Sequence, residues 1–149
     1  MIINDSTIQA YLDSLPRDIL EIDLSDKNLS FIPNLSSFTC LIDLNCSQNQ
    51  LTTLPTLPPS LITLHCFQNQ LISLPVLPPS LTYLDCSWNQ LTTLPEVPTS
   101  LTSLVCCSNQ LTTLPTLPPS LTTLRCYQNQ LTSLLVLLPI LPPSFNTNC

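Results

Sequence analysis

Apolar and polar positions along this chain follow a pattern that returns every twenty residues, with copies beginning at Leu41, Leu61, Leu81, Leu101 and Leu121. The shared form is L-x-x-L-x-C-x-x-N-Q-L-x-x-L-P-x-L-P-x-S. Within L-x-C the apolar residues recur with a period of two, which places their side chains on one face of a β-strand. Each repeat is therefore predicted to contain a short strand, with Leu44 and Cys46 facing inward in the first regular copy.

The second half of each repeat follows a different period. Leu51, Leu54 and Leu57 come at a spacing of three, and Pro55 and Pro58 restrict φ between them. Such a segment suits an extended or polyproline-like conformation and is too rich in proline for a helix. We expect it to return the chain from the end of one strand to the start of the next.

A single repeat cannot be stable by itself. It buries about six apolar side chains, worth roughly 1.5–3 kcal/mol each, whereas ordering twenty residues costs on the order of 20–40 kcal/mol of backbone entropy. Stacked repeats bury both sides of each leucine layer and pair their strands. The predicted fold is a repeat solenoid of the leucine-rich repeat class, with a parallel β-sheet on the concave side and extended segments on the convex side.

The turn after the strand of each regular repeat carries an invariant asparagine, which Lys27 replaces in the irregular first repeat. The chain has 16 Pro and no Gly, although sharp turns usually need a residue with positive φ. Asparagine is expected to take the place of glycine here, because it tolerates the left-handed region. Its side-chain amide can also satisfy backbone groups of its own repeat and of the adjacent one.

The N-terminal third fits the same template less regularly. A first repeat of 22 residues begins at Ile19, and Ile8, Tyr11 and Leu12 upstream have helical spacing behind a possible N-cap at Asp5 or Ser6. The predicted organisation is an N-terminal helical cap over 1–18, leucine-rich repeats over 19–134 and a degenerate C-terminal end over 135–149. Within the repeats, the irregular copy starts at 19 and the regular copies start at 41, 61, 81, 101 and 121.

The segment "LPTLPPSLITLHCFQNQLISLPVLPPS" resembles the bacterial, YopM/IpaH-like class of twenty-residue leucine-rich repeats found in type III secretion effectors. Similar short, Cys-bearing repeats occur in amoeba-associated bacteria and giant viruses. The resemblance covers about residues 15–144 and implies a curved solenoid that binds other proteins. IpaH-type proteins carry a separate C-terminal ubiquitin-ligase domain with its own catalytic cysteine. The 149 residues leave no room for such a domain, so ligase activity is not expected from the resemblance.

Charge restricts the choice of partner. The net charge is −6, and Arg17, Lys27 and Arg125 are the only basic residues. Nucleic acids and anionic membrane surfaces both require a basic footprint, so neither is an expected partner. No apolar run reaches the roughly 18–20 residues that span a bilayer, and the N-terminus does not read as a secretory signal. The expected location is the cytoplasm, that of a host cell included, and the expected partner is a protein.

The cysteines do not predict chemistry. Five of them occupy the inward strand position of successive repeats and are expected to be reduced, buried spacers: Cys46, Cys66, Cys86, Cys106 and Cys126. Cys107 is expected to face outward and to react first with thiol reagents. The single histidine, His65, lies two repeats away, roughly 10 Å by strand spacing, which is too far for a catalytic pair. We predict no catalytic residue, no metal site, no cofactor and no enzymatic activity.

The outward strand positions vary between repeats, whereas the stacking positions do not. They place aromatic and charged residues among small polar ones, an arrangement typical of binding surfaces. The candidate partner-binding residues are His65, Phe67, Tyr83, Asp85, Trp88, Val105, Arg125 and Tyr127. Neutral variation at tolerant surface positions is the alternative interpretation.

Three hypotheses about function follow from the sequence. In the first, the chain is a protein-binding module, scaffold or effector-like, which acts by occupancy through its concave face. In the second, it is the recognition half of a truncated or split effector of the ubiquitin-ligase type. In the third, it is a gene remnant without function.

Overall fold

A computed structural model of the chain describes residues 2–132 and the backbone of 146–148. One helix, α1 (Ile8–Ser14), precedes a single parallel sheet in which each strand pairs with the next one along the chain. The strands are β1 (Glu21–Asp23), β2 (Asp43–Asn45), β3 (Thr63–His65), β4 (Tyr83–Asp85), β5 (Ser103–Val105), β6 (Thr123–Arg125) and β7 (Asn146–Asn148). The predicted solenoid is confirmed.

The register of the sheet keeps equivalent residues side by side. Leu44 pairs with Leu64, Leu64 with Leu84, Leu84 with Leu104 and Leu104 with Leu124. The inward cysteines and the remaining consensus leucines add further buried columns, so one continuous core runs along the solenoid. The return segments contain no helix anywhere in the described residues, in agreement with their proline content.

The return segments that lead to Leu61, Leu81, Leu101 and Leu121 each end in a tight turn that begins with proline, whereas the turn before Leu41 begins with Phe38. In the first regular repeat the Leu61 N–H donates to the Pro58 carbonyl at 3.2 Å, with Pro59 at the second position of the turn, which suits its fixed φ. The consensus serine then links repeats. For example, the Ser80 hydroxyl donates to the Pro59 and Leu61 carbonyls, both at 2.7 Å.

The invariant asparagine joins neighbouring repeats as the sequence predicted. The Asn89 Oδ1 accepts from the Leu71 N–H of the preceding repeat at 2.9 Å. Its Nδ2 donates to the Cys66 carbonyl of that repeat at 3.0 Å and to the Cys86 and Ser87 carbonyls of its own at 3.1 and 3.2 Å. The same bonds recur at Asn49, Asn69, Asn109 and Asn129.

The left-handed residue of the turn is not this asparagine, and that part of the prediction is wrong. Positive φ falls one residue earlier in every regular repeat, at Gln48, Gln68, Trp88, Ser108 and Gln128, with values between 52° and 57°. The asparagine contributes its side chain rather than its backbone conformation. Its amide reaches both repeats because the residue before it makes the turn.

The first repeat and α1 form the N-terminal end of the core. Ile8 and Leu12 of α1 are buried, and the two extra residues of the 22-residue repeat accompany a fully buried Phe38. The N-cap is Thr7, without a side-chain capping bond, rather than the predicted Asp5 or Ser6. The Asp5 carboxylate instead accepts from the N–H and the hydroxyl of Ser30, at 2.8 and 2.6 Å, and so ties the cap to the first repeat.

The predicted degenerate end, 135–149, lies outside the described residues except for 146–148. Those three residues form β7, which pairs in parallel with β6 through Thr123 and Asn146, Leu124 and Thr147, and Arg125 and Asn148. The sheet therefore continues for one strand beyond the last regular repeat. The sequence separation of β6 and β7 is longer than the twenty residues between the strands of the regular repeats.

Replacing Asn89 by Ala is expected to lower the free energy of unfolding by about 2–4 kcal/mol, because it leaves one buried N–H and three carbonyls without this partner. Gln90→Ala, at the exposed neighbouring position, is the matched control and should change stability by less than about 0.5 kcal/mol. Urea unfolding of both variants measures the difference. Equal stabilities would contradict the coupling role of the asparagine.

Asp5→Ala is expected to lower the melting temperature at neutral pH, because it removes both bonds to Ser30. These hydrogen bonds lower the pKa of the Asp5 carboxyl in the folded protein. Its stabilisation is therefore present above the unfolded pKa of about 3.9 and is lost as the pH falls through the folded value. Thermal melts from pH 7 to pH 2 should show the variant and the wild type converging in acid. Asp18→Ala, at an exposed position, is the control. Its melting temperature should equal that of the wild type at every pH, so its melts should show no convergence.

Candidate functional site on the concave face

The concave face is formed by the residues that flank the buried leucine of each strand. In β2 to β5 both flanking residues are half-buried and the central leucine is buried. Two columns of side chains therefore cross the sheet. The first contains Asp43, Thr63, Tyr83, Ser103 and Thr123, and the second contains Asn45, His65, Asp85, Val105 and Arg125.

The register brings several predicted site residues together at the centre of this face. His65 pairs with Asp85, and Asp85 pairs with Val105. The rings of His65 and Tyr83 lie 5.0 Å apart between centroids, tilted by 44°. Arg125 continues the column on β6 and is exposed. These five residues form one continuous patch.

Trp88 extends this patch at the turn that follows β4. Its side chain is 57% exposed, and its φ is 56°, in the left-handed region. Glutamine occupies this position in three of the other regular repeats, and the Gln48 Nε2 donates to the Gln68 Oε1 at 3.1 Å. A bulky residue with positive φ is a conformational outlier, because its Cβ crowds the following carbonyl.

A third column of side chains lies two residues beyond the end of each strand, and it is less exposed than strand alternation predicts. It contains Ser47, Phe67, Ser87, Cys107 and Tyr127. Ser47 and Ser87 are buried, Phe67 is half-buried and Tyr127 is exposed. Cys107 is 1% exposed, so the prediction of an outward, reactive thiol is wrong. The strand ends at Val105 and the left-handed turn follows at Ser108, so the two-residue alternation does not extend to Cys107.

Burial also makes the Cys107 thiol a poor nucleophile. Desolvation raises its pKa, and hydrogen bonds from Tyr127 only partly oppose this shift. In turn, the pKa of the Tyr127 phenol is raised, chiefly by its hydrogen bond with Cys107. The pair therefore provides no reactive group.

Asp85 is the dominant charge at the centre of the face. Burial raises the pKa of the Tyr83 phenol, the Asp85 carboxylate raises it further, and Arg125 opposes them. The Asp85 Oδ1 accepts from the Ser87 N–H at 3.0 Å. Within the described residues the only ion pair joins Arg17 and Asp13, which are both exposed and far from this surface in the chain.

Three carboxylates on the same face were missed by the search for variable aromatic positions. Glu21 and Asp23 flank the buried Ile22 of β1, and Glu21 pairs with Asp43 of β2. The alternation of β1 in the irregular first repeat is the sequence signal that identifies them. The N-terminal end of the concave face is therefore acidic, and its aromatic residues begin at β3.

The inward thiols behave as core residues. Burial raises the pKa of Cys46 and of Cys106 to about 12, and raises those of Cys66 and Cys86 well above the usual range. The expectation of a reduced thiol is wrong at Cys126, which is disulfide-bonded. Cys126 belongs to the last regular repeat, so no consensus cysteine follows it in the column. Among the described residues no group of three or more His, Cys, Asp or Glu side chains is arranged to hold a metal ion.

The solved structures that resemble this chain include three bacterial leucine-rich repeat proteins. YopM from Yersinia enterocolitica WA-314 superimposes with a TM-score of 0.81 and is 40% identical over 89% of this chain and 28% of its own. A Shigella effector leucine-rich repeat domain gives 0.77 and 40% identity over 87% of this chain and 57% of its own. YopM from Yersinia pestis gives 0.58 and 28% identity over 95% of this chain and 51% of its own.

The chain thus spans between 28% and 57% of the length of these chains. The resemblance to the bacterial class of leucine-rich repeats, predicted from the repeat motif, is confirmed by them. No protein-family model matches the chain, and neither does any curated protein sequence. No helix within residues 2–132 is long and apolar enough to cross a bilayer.

Native alkylation with iodoacetamide is expected to modify Cys40 first, because it is the exposed free thiol of residues 2–132. Cys46, Cys66, Cys86, Cys106 and Cys107 should react much more slowly, since burial both blocks access and raises their pKa values. Peptide mapping by mass spectrometry distinguishes the sites, and guanidinium-unfolded protein supplies the control in which all free thiols react alike. Labelling of Cys107 as fast as Cys40 in the native protein would contradict this assignment.

Proposed function

We propose that this leucine-rich repeat protein, of the bacterial YopM/IpaH-like type, binds a protein partner through its concave face and acts by occupying that partner. The proposed contact residues are His65, Phe67, Tyr83, Asp85, Trp88, Val105, Arg125 and Tyr127. Such a role requires no catalytic group, cofactor or metal. The proposed place of action is the cytoplasm, including that of a host cell, where a scaffold or effector would meet its partner.

Trp88 is the observation that carries this proposal. An L-residue in the left-handed region costs roughly 1–2 kcal/mol, and the cost is least for Asn and Gly. The chain nevertheless has its single Trp at this position, with 57% of the side chain exposed. An exposed aromatic residue in a strained conformation does not serve the stacking of repeats. Strained residues cluster at functional sites, and Trp is among the residues most enriched in binding hot spots.

The surroundings of Trp88 support the same role. Tyr83, Phe67 and Tyr127 add aromatic surface nearby, and Asp85 and Arg125 add charge of both signs. An aromatic centre with a polar margin is the usual composition of a protein-binding surface. The underlying sheet is held by repeated hydrogen bonds, so little conformational entropy is lost when a partner binds.

Trp88→Asn tests this function directly, because asparagine fits the left-handed turn while the aromatic surface is removed. The variant is expected to be as stable as the wild type or more stable by about 1 kcal/mol. Binding to a partner isolated from cell lysate and then purified should weaken by at least about tenfold, measured by calorimetry. Ile72→Ser, which removes a side chain of similar exposure (58%) from a return segment, is the matched control and should bind normally.

Full binding by Trp88→Asn would contradict the concave site. The absence of any partner whose binding depends on Trp88 would favour a gene remnant. A partner whose ubiquitination rises only when a separate ligase chain is added would favour the split-effector hypothesis.

A further inference from the structure

We propose that the partner anchors on this face through a cationic side chain, a lysine or an arginine, which binds the Asp85 carboxylate between Tyr83 and Trp88. This inference rests on the proposed function, because it names the chemistry of the group that the concave face accepts. It is carried by three observations: a half-buried carboxylate without a counter-ion among the described residues, an unpaired hydroxyl in the turn that follows it, and aromatic side chains on the same face.

The first observation is the isolation of the Asp85 charge. Asp85 is half-buried in the middle strand of the regular repeats, and it makes no ion pair with any residue that the structure describes. Arg125 lies in the same column but two strands away, roughly 10 Å by strand spacing. A partly buried charge is stabilised when it is paired, so a cation brought by a partner would gain more here than at an exposed carboxylate.

The second observation is the hydroxyl of Ser87. Ser87 is 5% exposed, and its Oγ is the one buried side-chain oxygen or nitrogen of the described residues that has no hydrogen-bond partner. The equivalent Ser47 Oγ donates to the Asn45 Oδ1 at 2.6 Å. At Ser87 only the backbone N–H donates to the carboxylate, so the hydrogen-bonding capacity of the hydroxyl stays unused. A buried hydroxyl without a partner is uncommon in proteins, so the turn that follows Asp85 is incompletely satisfied in the unbound protein.

The third observation is the aromatic environment. Tyr83 precedes Asp85 by two residues on the same face of β4, its ring contacts His65, and the exposed Trp88 follows at the turn. Cations bind favourably over the faces of Trp and Tyr rings. The Glu21 and Asp23 carboxylates at the N-terminal end of the same sheet add a negative potential that attracts a basic segment over a longer range. A partner group of negative charge would meet repulsion at each of these positions.

The chain itself supplies the design of the test variant. Two repeats earlier in the same column, the Asn45 Oδ1 accepts from the Ser47 N–H at 3.1 Å. The Asp85 Oδ1 accepts from the Ser87 N–H in the same way, at 3.0 Å. Asp85→Asn therefore keeps the hydrogen bond that the fold uses and removes only the charge. Asp43→Asn, which neutralises another half-buried carboxylate of the same face, is the matched control.

The experiment selects peptides from a random phage-displayed library on the full-length protein and measures the synthetic peptides by fluorescence anisotropy. Selected peptides are expected to contain a lysine or arginine whose replacement by glutamine weakens binding to the wild type at least about tenfold. On Asp85→Asn the same replacement should change binding less than about twofold, which makes the two substitutions non-additive. Asp43→Asn should retain the full effect of the replacement, and the wild-type affinity should fall with rising salt.

The outcomes separate this inference from the proposed function. The cationic anchor would be overturned by peptides that bind the Trp88→Asn variant poorly but contain no basic anchor. It would also be overturned by peptides that bind the Asp85→Asn variant as well as the wild type. Either result would leave the concave site in place. Failure to enrich any peptide, or enrichment only of peptides indifferent to Trp88→Asn, would overturn both.

Discussion

The amide side chain of one asparagine per repeat is the interaction on which this structure depends. Each amide accepts from a backbone N–H of the preceding repeat and donates to carbonyls of both repeats, at the point where the strand ends and the chain turns. The turn needs these bonds because it is buried between layers and no glycine relaxes it. A repeat that lacked them would leave several backbone groups unpaired on both of its sides.

This constraint separates positions that serve stacking from positions that are free to bind. The leucines, the inward cysteines, the asparagines and the turn serines are all occupied within the solenoid, whereas the residues flanking each buried strand leucine have no such duty. Function is therefore confined to a surface whose backbone is already rigid. The left-handed turn position joins the two sets, since it serves the turn and also reaches the surface, and only at Trp88 does it present an exposed aromatic ring. That combination is the reason for placing the binding centre at β4.

The sequence-based expectations that proved wrong concern residues at the ends of strands and helices, where alternation and residue propensity no longer determine the conformation. Alternation predicted an outward Cys107, but the strand stops at Val105 and the turn carries the thiol into a buried position against Tyr127. Propensity predicted the asparagine as the left-handed residue, yet its side chain is required for cross-repeat bonds and the preceding residue takes that conformation. Asp5 was a reasonable N-cap by residue type, but it binds Ser30, 25 residues away, and Thr7 begins the helix.

The sequence by itself determined the period, the strand positions, the parallel stacking and the absence of helix from the return segments, because each follows from local spacing and from the φ of proline repeated many times. It also identified the variable residues of the concave face. Only the tertiary structure decided which of them share a neighbourhood: register places Asp85 between His65 and Val105, and leaves the Ser87 hydroxyl buried without a partner. Contacts between repeats depend on rotamers and on the turn conformation, and a one-dimensional pattern contains neither.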